Sequence, residues 1–509
     1  MKHKPLITST LLVVTASTLL RSLGFIREMV LATVYGAGVV TDAFVIAYNI
    51  PATVLAFIGS AMASVYIPLY QSNKERKNLF TSNIVSLLAL VGLAFSLVFT
   101  FCPQALVYLF ASRIDAETFE LAAMLVRLMI WSAIPILLAE IFRGYLQTQS
   151  VFFRSLAAGA FVNICVIAAI IFSGATHTLY MMGIGAVAGN IFSLAALVLL
   201  GKKYELRYRP YLNLRDQSVK ELLVLIAPII AATSIGELNQ IIDRNFASSL
   251  TTGAISSLNY ANKLIGLITA LIGAALGTVL FPKMSEFAAE DNYASLKKYL
   301  MGCIKKLTPI LLPMTAGVMI LAEPVVRLLF ERGAFTAGDT RRTAECLQMY
   351  AICFTGGSIN ALIVRAFYAI KNTRAPAAVS ALAVCVNIAL NFLLIGPLQH
   401  RGLALATGIA TTVSMLLLTV LLRRSLGALG LTSELRELAK TTLATLIMAA
   451  AVWVGNRYLP VMTGSALQGA AWTACLVLSG AALYLTAHAV LRTAFIRDAK
   501  AIVSGLLRR

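Results

Sequence analysis

The sequence predicts an all-α polytopic membrane protein that crosses the bilayer about fourteen times. Hydrophobic residues make up 59% of the 509 residues and charged residues only 13%, and the mean hydropathy is +0.83. A soluble domain carries roughly 25% charged residues, which water solvates at its surface. Apolar segments of about 20 residues or more recur along the chain, long enough to cross a hydrocarbon core of about 30 Å as helices. A β-barrel would instead show alternating segments of about 10 residues.

The predicted spans follow these apolar segments in order. In the first, the helical pattern continues through Arg21 and Arg27 to about Val34 without a convincing signal cleavage site, so we expect an uncleaved span. The fourteen predicted spans lie at residues 7–34, 41–70, 79–102, 117–147, 153–174, 179–201, 218–249, 254–286, 300–329, 340–370, 375–396, 401–422, 436–456 and 465–491.

The loops between these spans predict the orientation of the chain. Basic residues cluster at 74–77, 202–220 and 423–440 and at both termini, whereas the loops at 36–41 and 248–253 are nearly free of Lys and Arg. Because cytoplasmic loops collect Lys and Arg, both termini are predicted to be cytoplasmic. The net charge of +20 has the same origin, so it does not indicate a nucleic-acid partner.

The chain also contains an internal repeat. The segment at 59–68 resembles that at 273–282, and Val162-Asn-Ile recurs as Val386-Asn-Ile. Six spans are therefore followed by six related spans of the same orientation, and two such lobes are typical of an alternating-access transporter with a site between them. The sequence predicts an N-terminal lobe at 1–217, a C-terminal lobe at 218–430 and an added pair of spans at 431–509.

Several charges fall inside apolar spans, where one charge costs between about 3 and more than 10 kcal/mol. Arg21, Arg27 and Glu28 lie in the first span, Asp42 opens the second, and Lys263 lies in the eighth. One interpretation is that these acids and bases only neutralise each other. The other is that the three cations meet at a central cavity and bind an anionic substrate. Phosphate is then favoured, because a guanidinium binds it through two parallel hydrogen bonds.

Catalytic functions find little support in the sequence. The four histidines lie at termini, loops or span ends without metal-ligand spacing, and the chain has no Walker A motif. We therefore expect a transporter that is not an enzyme and that does not use ATP directly.

Several motifs together are specific for one family. Arg21-Ser-Leu-Gly-Phe-Ile-Arg27-Glu, Thr41-Asp-Ala-Phe, Asp243-Arg-Asn-Phe-Ala-Ser, Leu258-Asn-Tyr-Ala-Asn-Lys263 and Leu329-Phe-Glu-Arg-Gly-Ala-Phe-Thr closely resemble the MurJ (MviN) family of lipid II flippases. That family belongs to the wider group of multidrug and polysaccharide-lipid exporters. The resemblance covers essentially the whole chain, including the number of spans.

This resemblance implies a function, partners and roles for the charges. Lipid II, an undecaprenyl-diphosphate-linked peptidoglycan precursor, would move from the inner to the outer leaflet of the bacterial plasma membrane, with membrane lipids and the cell-wall synthesis machinery as further partners. Arg21, Arg27 and Lys263 would hold the diphosphate, Asp42 and Glu28 would orient the arginines, and spans 13 and 14 would hold the lipid tail. Many members of the family have arginine at the position of Lys263.

Two alternative functions remain open at this point. One is a flippase for another polyprenyl-diphosphate-linked oligosaccharide, which would need the same cations. The other is a non-transporting membrane scaffold of cell-wall synthesis.

A set of oxygen ligands further predicts a cation site. Asn387 and Asn391 share one face of span 11, and Asp243, Thr407 and the carbonyl of Leu403 lie at a similar depth, about 8–10 Å below the outer ends of their spans. Hard oxygen ligands suit a small cation such as Na⁺, the one cofactor that we expect. In the alternative, the asparagines simply hydrogen-bond between helices, and Asp243 pairs with the neighbouring arginine.

Overall fold

The computed structural model describes residues 6–72, 76–275, 280–427, 435–458 and 466–497. Within these residues the chain is helical and has no β-strand, and a longer connection at residues 204–216 joins two of the helices. The predicted all-α architecture is therefore confirmed.

The described residues form nineteen α-helices and one 3₁₀ turn at Ile130–Ser132. The helices are α1 (Leu6–Tyr35), α2 (Val39–Ser72), α3 (Lys77–Phe101), α4 (Pro103–Phe110), α5 (Ala116–Met129), α6 (Ala133–Thr148), α7 (Phe152–Ala157), α8 (Ala160–Thr176), α9 (Tyr180–Lys203), α10 (Gln217–Ala247), α11 (Ala254–Ala275), α12 (Phe281–Ala289), α13 (Tyr293–Phe330), α14 (Ala337–Ile352), α15 (Phe354–Ala369), α16 (Arg374–Leu398), α17 (His400–Leu426), α18 (Leu435–Tyr458) and α19 (Ala466–Val490).

By length and composition alone, fewer of the described helices qualify as membrane spans than the sequence predicts. Nine helical segments of the described chain are long and apolar enough to cross a bilayer, and two bent pairs raise the number to eleven. One bent pair is α14 with α15, at 45°, and the other lies within α10, at 51°. Part of the predicted span 254–286 lies outside the described residues, so the number fourteen stays a prediction.

Proline accompanies the bend in α10. Pro228 lies in the turn before the bend between Ile230 and Ser234. A proline lacks the backbone N–H that would bond one turn back, and its ring crowds the carbonyl there, so helices commonly bend near it. The bend thus has a cause in the sequence.

A tight turn joins α1 to α2 and reverses the direction of the chain. Gly36 has a φ of +68°, a conformation that a side chain disfavours, and its carbonyl accepts a hydrogen bond from the hydroxyl of Thr41 at 2.9 Å. The turn therefore lets α2 run back along α1, where the Tyr48 hydroxyl accepts a hydrogen bond from Arg27.

The first compact unit comprises the chain up to Asn259 together with Arg332–Thr336. Its core contains aromatic rings of α2, α3 and α6, with Tyr66 stacked on Phe80 at 5.9 Å between ring centroids. Helices α8 and α9 approach closely at a glycine: a Cβ at Gly185 would lie 2.2 Å from the Cβ of Ala169. Small residues allow such close contact between membrane helices.

The second compact unit comprises Tyr260–Glu331 and the chain from Ala337 onward. Its main core lies among α12, α13, α15 and α17, around the buried ring of Phe367. Helices α18 and α19 pack on α13, where the Tyr484 hydroxyl donates to the carbonyl of Pro309 at 2.6 Å.

The boundary between the compact units lies within α11, after its first six residues. Helix α10 packs along α2 in the first unit, although the repeat assigns it to the second lobe. The lobes predicted at 1–217 and 218–430 rest on the repeat alone, so they stay a prediction, as does the separate role of 431–509.

Candidate functional site

Two buried charges of the first unit form a pair in the second half of α1. Arg27 and Glu28 are 6% and 3% exposed, and Arg27 Nη2 donates to Glu28 Oε1 at 2.6 Å. The other terminal nitrogen of Arg27 donates to the Tyr48 hydroxyl at 2.6 Å and to Asn163 Oδ1 at 3.3 Å. The guanidinium carbon also lies 4.3 Å from the centroid of the Tyr48 ring. Contacts from three helices therefore hold this guanidinium in one position.

These contacts leave one nitrogen of Arg27 without a hydrogen bond. Its buried Nε has no hydrogen-bond partner in the described part of the chain. A buried charged group without a hydrogen bond destabilises the protein. A ligand or a water molecule that accepts a hydrogen bond from this nitrogen would therefore bind favourably. The Arg27–Glu28 pair is thus consistent with the neutralising interpretation, while its free donor is consistent with substrate binding.

Asp42 and Glu28 also hold the beginning of α11. The two carboxylate oxygens of Asp42 accept the backbone N–H groups of Gly253 at 2.6 Å and Ser256 at 2.7 Å. Glu28 Oε2 accepts from the side-chain amide of Asn259 at 3.0 Å. A carboxylate at a helix N-terminus satisfies otherwise unpaired N–H groups and interacts favourably with the helix dipole. These contacts make Asp42 a cap of α11, and its predicted role in orienting the arginines stays a prediction.

The other two predicted cations are less enclosed. Arg21 is exposed on α1, and Lys263 is half-buried on the part of α11 that belongs to the second unit. The proposed grip of Arg21, Arg27 and Lys263 on a diphosphate therefore stays a prediction.

Four of the five residues of the predicted cation site come together in the second unit. Asn391 Nδ2 donates to Asn387 Oδ1 at 3.1 Å, and Asn387 Nδ2 donates to Thr407 Oγ1 at 3.4 Å. The Thr407 hydroxyl in turn donates to the carbonyl of Leu403 at 3.0 Å. Both asparagines are at most 1% exposed. This chain of oxygen-bearing groups fits a small hard cation in its chemistry, and it equally fits the alternative of hydrogen bonds between helices.

The fifth residue of that site lies in the other compact unit. Asp243 accepts a hydrogen bond from the side-chain amide of Asn239, one turn earlier on α10, at 3.2 Å. Nη1 of the neighbouring Arg244 donates to the hydroxyl of Thr53 on α2 at 3.4 Å. In the part of the chain that the structure describes, no group of three or more His, Cys, Asp or Glu side chains could hold a metal ion.

We call Arg27 and Glu28, together with the polar residues that contact them, the charged cluster. These polar residues are Tyr48, Asn163 and Asn259. The sequence does not single them out. The repeat offers a signal for one of them, because Val162-Asn163-Ile matches Val386-Asn387-Ile. Asn163 contacts Arg27 in the first unit, and its counterpart Asn387 belongs to the predicted cation site in the second.

Comparison with solved structures first shows which fold the chain shares. An inward-facing multidrug resistance transporter of the MATE family, from the MOP superfamily, matches with a TM-score of 0.64 at 16% identity, over 82% of this chain and 96% of that chain. A likeness at this identity shows the fold alone. The chain thus shares its fold with this transporter.

Closer comparisons define the family. The family model described as lipid II flippase MurJ matches residues 31–470, and the chain belongs to this family. A solved structure named lipid II flippase MurJ, inward closed conformation, matches with a TM-score of 0.81 at 26% identity, over 96% of this chain and 99% of that one.

Relatives in two bacteria match along most of their length. The lipid II flippase MurJ of Burkholderia cenocepacia is 28% identical, over 93% of this chain and 95% of its own length. The probable lipid II flippase MurJ of Thermotoga maritima is also 28% identical, over 91% of this chain and 92% of its own length.

Proposed function

We propose that this chain moves lipid II from the inner to the outer leaflet of the bacterial plasma membrane. The observation that carries the proposal is the match of the lipid II flippase MurJ family model to residues 31–470. The fold supports it, since a solved MurJ structure matches 96% of the chain.

The charged cluster gives this function a chemical basis. The diphosphate of lipid II needs cations that are shielded from water, where a charge-assisted hydrogen bond is stronger. Buried Arg27, with its free Nε, would be one ligand of the diphosphate, and Arg21 and Lys263 would be the others. Glu28 would hold Arg27 in position.

The same proposal includes how and where the transporter works. Two lobes would rock in alternation, with no covalent chemistry on the substrate, and so the chain would not be an enzyme. It would lie in the inner membrane with both termini cytoplasmic, as the basic loops favour. Membrane lipids and the cell-wall synthesis machinery would be its partners, without nucleic acid, and α18 with α19 would hold the lipid tail.

A Na⁺ gradient is proposed as the source of energy. The buried set of Asn387, Asn391, Thr407 and the carbonyl of Leu403 supports this, because it brings together the neutral oxygen groups that a monovalent cation prefers. Asp243 would supply the negative charge. A bound ion would favour one arrangement of the second lobe and thereby bias the rocking equilibrium.

A leaflet-accessibility assay for lipid II in depleted cells tests the proposal. We expect lipid II to accumulate in the inner leaflet, and a flippase of unrelated sequence to restore viability. A scaffold would not be replaced by an unrelated flippase, so failure of that rescue would contradict transport. Rescue only by exporters of other polyprenyl-linked oligosaccharides would show a different substrate.

A further inference from the structure

The first unit contains an open cavity of about 450 Å³ between α2, α6, α8 and α9. Small-molecule sites range from about 300 to 1,000 Å³ and combine apolar walls with a few polar groups. The walls here include apolar side chains, and the polar lining consists of Tyr48, Ser132, Glu140, Arg143, Asn190 and Ser193. Tyr48 is also the residue that accepts a hydrogen bond from Arg27.

Two hydroxyls in this lining are buried without a partner. Ser132 and Ser193 are 3% and 2% exposed, and neither Oγ has a hydrogen-bond partner in the described part of the chain. A buried hydroxyl without a hydrogen bond destabilises the protein, so such groups are usually satisfied by ordered water or by a ligand. Two of them in one cavity would suit a ligand that carries hydroxyl or amide groups.

A charged pair completes the polar lining. Arg143 Nη1 donates to Glu140 Oε1, and the two side chains keep 28% and 26% of their surface exposed. Gly59 leaves space for this pair, because a Cβ at that position would lie 3.1 Å from Glu140 Cγ. The formal charges of the pair cancel, while a donor fork and a carboxylate remain available at the surface of the cavity.

We propose that this cavity binds the sugar part of the substrate, with Ser132, Ser193, Glu140 and Arg143 as residues that determine specificity. A neutral set of donors and acceptors suits the hydroxyl and amide groups of a sugar, whereas a diphosphate requires an excess of cations. The inference rests on the proposed function and deepens it: the diphosphate and the sugar are recognised by different groups of residues.

Binding of two lipids to the full chain in nanodiscs tests the inference. One lipid is lipid II, and the other is undecaprenyl diphosphate, which has the same diphosphate and tail but no sugar. The variant carries Ser132→Ala and Ser193→Ala, which change no charge. Because each lost hydrogen bond weakens binding several-fold, we expect the affinity for lipid II to fall about tenfold while that for undecaprenyl diphosphate is unchanged.

Ser257→Ala is the matched control, because Ser257 is also a fully buried serine without a hydrogen-bond partner in the described chain, but it does not line the cavity. We expect the control to change neither affinity. The double variant should unfold at the same temperature as the unaltered chain or a higher one, since it removes unsatisfied hydroxyls.

The possible outcomes separate the inference from the proposed function. Unchanged lipid II affinity in the double variant, or an equal loss for both lipids, would overturn the sugar site and leave the flippase proposal intact. If the unaltered chain fails to restore lipid II transport in depleted cells, the proposed function itself fails. Glu140→Gln gives an independent check, because it keeps the shape of residue 140 and should also weaken lipid II selectively.

Discussion

The carboxylate of Asp42 accepts the backbone N–H of Ser256, 214 residues further along the chain, at 2.7 Å. With its second oxygen on Gly253, this one side chain caps α11, the helix within which the compact units divide. A residue at the beginning of α2 thus controls how α11 begins.

Asp42→Ala should therefore destabilise the protein and abolish transport. A hydrogen bond to a charged group contributes about 1.5–3 kcal/mol, and the substitution removes two of them. Asp42→Asn keeps one acceptor oxygen and should have an intermediate effect. Thermal unfolding in detergent measures the first effect and growth of a depleted strain the second. Full complementation by Asp42→Ala would show that the cap is dispensable.

Arg27→Ala should abolish transport and also destabilise the fold. It leaves the buried carboxylate of Glu28 without its cation, and breaking a buried pair in this way costs about 3–5 kcal/mol. Arg27→Lys should be only partly tolerated, because lysine loses the planar fork.

A double variant separates these two roles of Arg27. Arg27→Met combined with Glu28→Gln removes both charges and should recover most of the stability. Transport should stay absent, because the ligand of the diphosphate is still missing. If the double variant transports lipid II, the pair has only a structural role.

Lys263→Arg should retain transport, whereas Lys263→Gln should lose it. The position needs a positive charge for the diphosphate, and the arginine fork can replace the point charge of lysine. Complementation of a depleted strain by the two variants checks this. Equal growth with Arg and Gln would place Lys263 outside the substrate path.

Transport in reconstituted vesicles should depend on Na⁺. Asp243→Asn should remove that dependence, since it removes the only full negative charge of the proposed site. Thr407→Val should weaken it, because the substitution removes one oxygen from the hydrogen-bonded set in the second unit. A rate that ignores Na⁺ but follows the membrane potential would exclude this site.

The loop before α5 should give a pH-dependent contribution to stability. The backbone N–H and hydroxyl of Thr118 donate to Asp115, and they hold the pKa of that carboxyl below its usual value. A lowered pKa in the folded state means that this stabilisation is complete above the unfolded pKa of about 4 and is lost as the pH falls further. Asp115→Ala should cost about 1 kcal/mol at pH 7, typical of an N-cap, and less at pH 3.

Unfolding temperatures at the two pH values measure this difference. Asp115→Asn is the control, because asparagine caps a helix without titrating. Equal losses for Asp115→Ala at both pH values would contradict the assignment.

The sequence predicts the burial of charge in the first two spans better than it predicts the contacts. Arg27, Glu28 and Asp42 could be identified because a charge in an apolar helix must be shielded from lipid. Tyr48, a partner of Arg27, is a polar residue of ordinary appearance, and the repeat marks the other partner, Asn163, without showing what it contacts. Only tertiary packing brings the two residues to Arg27.

The role of Asp42 could not be predicted for a different reason. Its partners are backbone N–H groups, which every residue except proline carries, so no side chain in the sequence marks them. Similarly, the bend between α14 and α15 interrupts an apolar segment that reads as one continuous span.

Because Gly59 and Glu140 are in close contact, the residue tolerated at either position depends on the residue at the other. A Cβ at position 59 would lie 3.1 Å from Glu140 Cγ, so alanine there needs a shift of a few tenths of an ångström. A longer side chain needs residue 140 to be shorter or to adopt another rotamer. Among relatives of this chain, substitutions at these positions should therefore occur in compensating pairs. A lineage that gains a bulky residue at 59 while it keeps glutamate at 140 would have to rebuild the wall of the cavity around them.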